Sequence, residues 1–210
     1  MDVSAFQSEF DVSRETLARL TAYEALLRKW QQKINLVGPS TVDQIWQRHF
    51  ADSLQLMPLI PENAQKWVDL GSGAGFPGAV AALAGFPGEV YLIESDKRKA
   101  AFLQAVARET GRAITVLAER IENVAASRKI AADVISARAL APLVKLLEFS
   151  APFVTPKSCA LFLKGRDWQA ELAAAERDWL FQAEIFPSRT DTDARVIKLT
   201  HITSRAKEKI

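Results

Sequence analysis

The segment Trp67-Val68-Asp69-Leu70-Gly71-Ser72-Gly73-Ala74-Gly75-Phe76-Pro77-Gly78 passes from an apolar run through three alternate glycines to a proline. The run, bounded by Lys66 and Gly71, predicts a short buried strand. The glycines let the backbone turn sharply and approach a ligand with no Cβ in the way. Pro77, with its fixed φ and missing N–H, suits the first turn of a helix. Strand, glycine turn and helix start form the ligand-binding corner of a doubly wound α/β sheet.

A dinucleotide fingerprint has Gly or Ala three positions after its second glycine. Counted from Gly71 and Gly73 that position is Phe76; counted from Gly73 and Gly75 it is Gly78, behind Pro77. The Lys-Ser/Thr ending of a P-loop is missing as well. A Gly-x-Gly-x-Gly loop that ends a strand, with Asp69 just before it, resembles the first motif of S-adenosylmethionine (SAM) methyltransferases. A zwitterionic, adenosine-bearing cofactor needs close backbone approach and an acid near its amino group, not a pyrophosphate cradle. Asp69, Gly71, Gly73 and Gly75 are therefore cofactor candidates.

Downstream, strands and helices alternate. Val90-Tyr91-Leu92-Ile93 predicts a second strand ending in Glu94, about 20 residues past the glycine loop, where α/β nucleoside binders hold the ribose hydroxyls. Asp96 predicts a helix cap. The Lys97-Arg98-Lys99 start that follows is unusual, because cations are disfavoured at a helix N-terminus. A solvated face and a phosphate contact both fit that run. Ile114–Leu117 is a third strand, and Glu119-Arg120-Ile121-Glu122 opens a short helix. In SAM enzymes this strand ends beside the adenine, which makes Ile121 a packing surface and Glu122 an acceptor for the adenine amino group. Asp133–Ser136 is the fourth strand, and ligands of open α/β sheets bind outside such strand ends, so Arg138 is expected to face the active site. A helix from Leu140 to about Ser150, the strand Cys159–Leu163, a helix from about Trp168 to Trp179, and strands at Glu184–Phe186 and Ala194–Leu199 follow. The expected fold is a Rossmann-like class I SAM methyltransferase, α/β, with a mostly parallel seven-stranded sheet and an antiparallel last strand. Arg205–Ile210 reads as a frayed basic tail.

Upstream, apolar residues at helical spacing (Leu17, Leu20, Tyr23, Leu27, Trp30, Ile34) predict an amphipathic helix over 12–34, ended by Gly38-Pro39. A second helix, capped by Ser40 or Thr41, is expected to run to about Leu56, followed by the rigid Met57–Pro61 connector. Residues 1–65 read as a helical cap on a SAM-binding domain of residues 66–210, with no long flexible linker between them. The 210 residues suit one domain with a small appendage. No apolar run reaches membrane-spanning length, and Met1-Asp2-Val3-Ser4 lacks a signal peptide's basic and apolar regions. A single cysteine, Cys159, excludes an internal disulfide framework, and a cytoplasmic monomer is expected. The net charge of +2 permits a nucleic-acid partner without demonstrating one.

The reaction is narrowed by what the chain lacks. Methylation of an exocyclic base amine uses an Asn/Asp-Pro-Pro-aromatic loop after the fourth strand, and this chain has Ser136-Ala137-Arg138-Ala139. Methylation of a cytosine carbon needs a cysteine nucleophile, and Cys159 opens a buried strand. No metal-ligand spacing is present, and His49 and His201 lie far apart in sequence. A ring nitrogen such as guanine N7 carries a free lone pair and needs in-line placement, not a general base.

The chain resembles the small-subunit ribosomal RNA methyltransferase G family, formerly glucose-inhibited division protein B, over essentially its whole length. The resemblance rests on Trp30 through Val37, Arg48-His49-Phe50-Ala51-Asp52-Ser53-Leu54, Val68 through Gly78, and Arg138-Ala139-Leu140-Ala141. It implies a bacterial enzyme that moves methyl from SAM to N7 of one guanine in 16S rRNA near the decoding site, on naked RNA or an assembling subunit. It also implies cofactor contacts at Gly71, Phe76, Ile121, Glu122 and Arg138. Glu94 stands where the family more often has aspartate, which keeps the acid and lengthens its reach. His49 and Asp52 share a helical face, as a buried hydrogen-bonded pair or as substrate contacts. Arg48, Lys97, Lys164 and Arg166 are candidate phosphate contacts. A SAM methyltransferase acting on a small molecule is the alternative, and a non-catalytic RNA-binding module a third.

Overall fold

The computed structural model describes residues 3–206; Lys207–Ile210 of the basic tail and Met1-Asp2 of the N-terminal reading lie outside the described residues. Seven strands form one sheet in the order β3-β2-β1-β4-β5-β7-β6. They are β1 (Lys66–Leu70), β2 (Glu89–Ile93), β3 (Ile114–Leu117), β4 (Val134–Arg138), β5 (Cys159–Lys164), β6 (Trp179–Pro187) and β7 (Arg195–Ser204). The first five strands pair in parallel, while β7 runs antiparallel to both β5 and β6. The expected mostly parallel sheet with an antiparallel last strand is thus present. Strand order reverses between β1 and β4, which opens the ligand crevice at their carboxyl ends. No helix among the described residues is long and apolar enough to cross a membrane.

On one face of the sheet lie α4 (Gly78–Leu83), α5 (Lys97–Thr110) and the N-terminal helices; α6 (Ile121–Ser127), α7 (Leu143–Ser150) and α8 (Trp168–Ala175) cover the other. Asp96 caps α5 as expected, accepting from the Arg98 and Lys99 amides, and left-handed Gly111 ends it. Cys159 is buried, and burial pushes its thiol up to about 11, which leaves it an inert core residue.

The N-terminal segment differs from its expected two helices. An additional helix, α1 (Val3–Phe10), precedes α2 (Arg14–Gln31), and Phe6 is fully buried against the rings of Phe10 and Trp46. The second expected helix is a series of short turns: a 3₁₀ turn at Pro39–Gln44, a π-helix at Trp46–Ala51, one α turn, α3 (Asp52–Leu54), and a 3₁₀ turn at Met57–Leu59. Neither Ser40 nor Thr41 caps it; the cap position is Gly38, and the Thr41 hydroxyl donates back to the Gly38 carbonyl. The wide π turn re-aims Arg48, His49 and Asp52 toward the sheet. Phe6, Leu20, Tyr23, Leu27 and Phe50 share one continuous core with Trp67, Val80 and Phe102.

Candidate functional site

The three loop glycines all have positive φ, +60° at Gly71, +57° at Gly73 and +96° at Gly75, but serve different ends. A Cβ on Gly71 would lie 2.5 Å from the Leu140 side chain, and one on Gly75 would lie 2.5 Å from the Tyr23 hydroxyl. A Cβ on Gly73 would meet nothing nearer than the Gly71 carbonyl at 3.9 Å and would project into open space. Of the three, Gly73 alone leaves its Cβ direction open, whereas the bare Cα of Gly75 makes room for Tyr23 of α2. Tyr23 donates its hydroxyl to the Ala74 carbonyl and stacks on Phe76, 5.6 Å between centroids, so α2 clamps the loop from behind.

In front of the loop lies a cavity of about 410 Å³, walled by Gly71, Gly73, Phe76, Glu94, Ile121, Glu122 and Arg138. Of the nine expected cofactor residues, Asp69 and Gly75 do not line it. Asp69 points the other way, fully buried, with Oδ1 accepting from the Ser136 hydroxyl at 2.6 Å and Oδ2 without a hydrogen bond. Burial pushes its carboxyl up to about 6 from an ordinary 3.8, against the opposing pull of the Ser136 hydroxyl. A raised carboxyl pKa takes stability away as pH rises through about 6. Denaturation of the wild type from pH 4 to 8 should show that loss, and Asp69→Asn should flatten it. An equal slope in both proteins would assign the titration elsewhere.

Glu94 is buried and already ordered: one oxygen accepts from the Gly73 amide at 2.7 Å, the other from the Asp96 amide at 2.7 Å. Each carboxylate oxygen retains a lone pair for a ribose hydroxyl. Glu94→Gln would set an amide NH₂ against one of those N–H donors. SAM affinity is expected to fall by about 1–3 kcal/mol. Unaltered affinity in calorimetry would move the ribose to Asp96 or to backbone. At the mouth, Lys99 lines this cavity, and Lys97, at the start of α5, does not.

A second cavity, about 570 Å³, lies between the carboxyl ends of β4 and β5, the π-helix and the β6–β7 connection. Leu36, Arg138 and Ala139 line both cavities and form their common wall. The guanidinium of Arg138 is fixed from several sides. Nη1 donates to Asp52 Oδ2 and to the Arg48 carbonyl, both at 3.1 Å, Nη2 meets His49 Nδ1 at 3.0 Å, and its carbon lies 4.8 Å over the Phe76 ring. Nε–H and one Nη2–H remain, enough for a carboxylate. His49 and Asp52 do not bond each other, as the expected pair would; both hold Arg138. Asp52 Oδ1 also accepts from Thr190 and Gln55, and Arg48 pairs with Asp191 at 3.2 Å. Lys164 is buried against Glu171 at 2.6 Å and donates to the Ala141 carbonyl, so it braces the wall of this cavity. Arg166, exposed at the cavity rim, has no such partner among the described residues. Sequence reasoning missed Leu36, Thr41 and the 188–194 connection, none of which carries a local chemical signal.

Strand order with one antiparallel strand, a glycine cradle and an acid ending β2 define the class: a Rossmann-like SAM-dependent methyltransferase of class I. Solved structures agree at the level of fold. A TehB-like SAM-dependent methyltransferase from Corynebacterium glutamicum superposes with a TM-score of 0.58 at 14% identity, covering 86% of this chain and 98% of that one. Aeropyrum pernix fibrillarin with natively bound SAM gives 0.55 at 14% identity, over 71% and 73%. The family model for rRNA small subunit methyltransferase G matches residues 16–196, and the chain belongs to that family. Ribosomal RNA small subunit methyltransferase G of Rhodospirillum centenum is 56% identical over 95% of this chain and 91% of the relative. The same enzyme of Parvibaculum lavamentivorans is 50% identical over 95% and 89%.

Proposed function

We propose that the protein moves a methyl group from SAM to N7 of one guanine in 16S rRNA near the decoding site, as a cytoplasmic monomer acting on RNA or an assembling subunit. The observation that carries the reading is the shared wall: a cofactor cavity and a larger acceptor cavity meet at Arg138. Gly73, Glu94, Ile121, Glu122 and Arg138 hold the cofactor; Arg48 and Arg166 at the rim of the other cavity meet phosphates. Bound SAM supplies a methyl on a sulfonium. Methyl passed from that sulfonium to the N7 lone pair would leave SAM as its thioether, and the base would have no proton to lose. The groups at the wall suit that economy: His49 Nδ1 is spent on Arg138, and Asp52 on Arg138, Thr190 and Gln55.

Single-turnover methyl transfer should therefore be nearly flat from about pH 6 to 9, below the unperturbed tyrosine and lysine values. His49, pushed down to about 3 by burial and by the Arg138 and Arg48 charges, is uncharged throughout that window. A rate rising tenfold per pH unit would mean a deprotonated acceptor and would end the N7 assignment. The activity itself is tested by mass mapping of small-subunit rRNA from cells with and without the protein. One guanine methyl, lost on deletion and restored on folded RNA or subunits by the purified enzyme with SAM, is expected. Fully retained rRNA methylation would leave the small-molecule alternative standing.

A further inference from the structure

We infer that His49 is a positioning residue for methyl transfer, holding the Arg138 guanidinium through the tautomer with a bare Nδ1, which the Arg138 donors require and the Thr41 hydroxyl accommodates. The inference rests on the reading above that Arg138 serves the reacting centre. The hydroxyl of Thr41 has one proton, and it is given to the Gly38 carbonyl at 2.8 Å. Toward His49 Nε2, 3.0 Å away, that hydroxyl is left only as an acceptor, so Nε2 carries the ring proton. Nδ1 is then a bare lone pair, and it faces Arg138 Nη2 at 3.0 Å. A ring with the proton on Nδ1 would set N–H against N–H there, and so would a protonated ring. Stacking of His49 on Phe76, 4.8 Å between centroids and 13° between planes, fixes the ring's remaining freedom. A hydrogen-bond relay from Arg138 through His49 and Thr41 to Gly38 therefore links the catalytic wall to the turn that follows α2.

Geometry makes the substitutions selective. Asparagine Oδ1 occupies the position of Nδ1 and can accept from Arg138; phenylalanine keeps the ring and its stacking but accepts nothing. His49→Phe should lower the single-turnover rate at saturating SAM about 10- to 100-fold, the worth of one hydrogen bond to a charged group. His49→Asn should recover most of that loss. In an Arg138→Ala background, His49→Phe should change the rate no further, because the two act as one unit. Thr41→Val, which takes the acceptor away from the Nε2–H and leaves the ring in place, should give a smaller loss in the same direction and serves if His49→Phe fails to fold. A His49→Phe loss that multiplies with that of Arg138→Ala, or that Asn fails to relieve, would make the histidine a packing residue and overturn the inference. A full-rate Arg138→Ala enzyme would instead overturn the reading of Arg138 itself.

Discussion

Gly73→Val leaves a folded protein that no longer binds SAM. The position has room, since a Cβ there meets nothing nearer than 3.9 Å, but that room opens on the cavity proposed to hold the cofactor. The left-handed φ of +57° adds roughly 1–2 kcal/mol of strain for a side-chain-bearing residue, tolerable for the fold. The branched side chain then stands where the backbone must meet the ligand. The affinity loss should reach about a hundredfold or more, roughly 2.8 kcal/mol, by calorimetry. Gly71→Val is the control with the opposite signature, since its Cβ strikes Leu140 at 2.5 Å and should lower the melting temperature first. Wild-type affinity in a folded Gly73→Val protein would remove this loop from the cofactor site.

Arg138→Ala should lower the single-turnover rate about a hundredfold, the scale on which loss of a positioning clamp acts. The side chain joins four partners at the wall between the cavities, and its free donors suit a carboxylate on the cofactor side. On the proposed N7 reaction the base itself becomes positive, a product that a neighbouring cation does not stabilise, so the expected contribution of Arg138 is alignment. The pH profile should stay flat in the variant. Asp52 keeps Thr190 and Gln55 as donors, which limits the cost in stability to about 1–3 kcal/mol. Lysine should rescue poorly, because a single ammonium cannot reproduce the planar fork. An alanine variant with wild-type rate and a wild-type SAM affinity would move the reacting centre away from this wall.

Much of the fold was legible because its signals are local. Apolar runs between turn residues give β1 to β5, and the glycine corner with Glu94 gives the cofactor side of the site. Short apolar runs mislead where helix and strand periods coincide: Trp179, expected to end a helix, begins β6, which extends to Pro187. The break of the second helix into 3₁₀, π and α turns has no compositional mark, because its apolar residues suit any of those windings. Gly75 and Asp69, the two residues of the glycine corner that do not line the cavity as expected, share a cause. Side-chain directions there are set by α2 pressing Tyr23 onto the loop and by the pairing of Asp69 with Ser136, contacts between residues 51 and 67 positions apart. Arg138 was placed by strand topology, but its partners come from two other stretches of chain, residues 48–52 and Phe76 of the glycine loop, which no local pattern announces.

The hydroxyl of Thr190 reaches Asp52 across 138 residues, and Asp191 meets Arg48 across 143. Because a chain emerges from its N-terminus, the cap and the first five strands are made well before these partners exist. Long-range closures of this kind are also the slow ones in folding. The glycine cradle and Glu94 can therefore be assembled on a nascent chain while Asp52, and through it Arg138, still lacks its seat. The lining of the cavity proposed for the cofactor ends at Phe149 and that of its neighbour only at Arg195, so the last hairpin completes the second cavity and not the first.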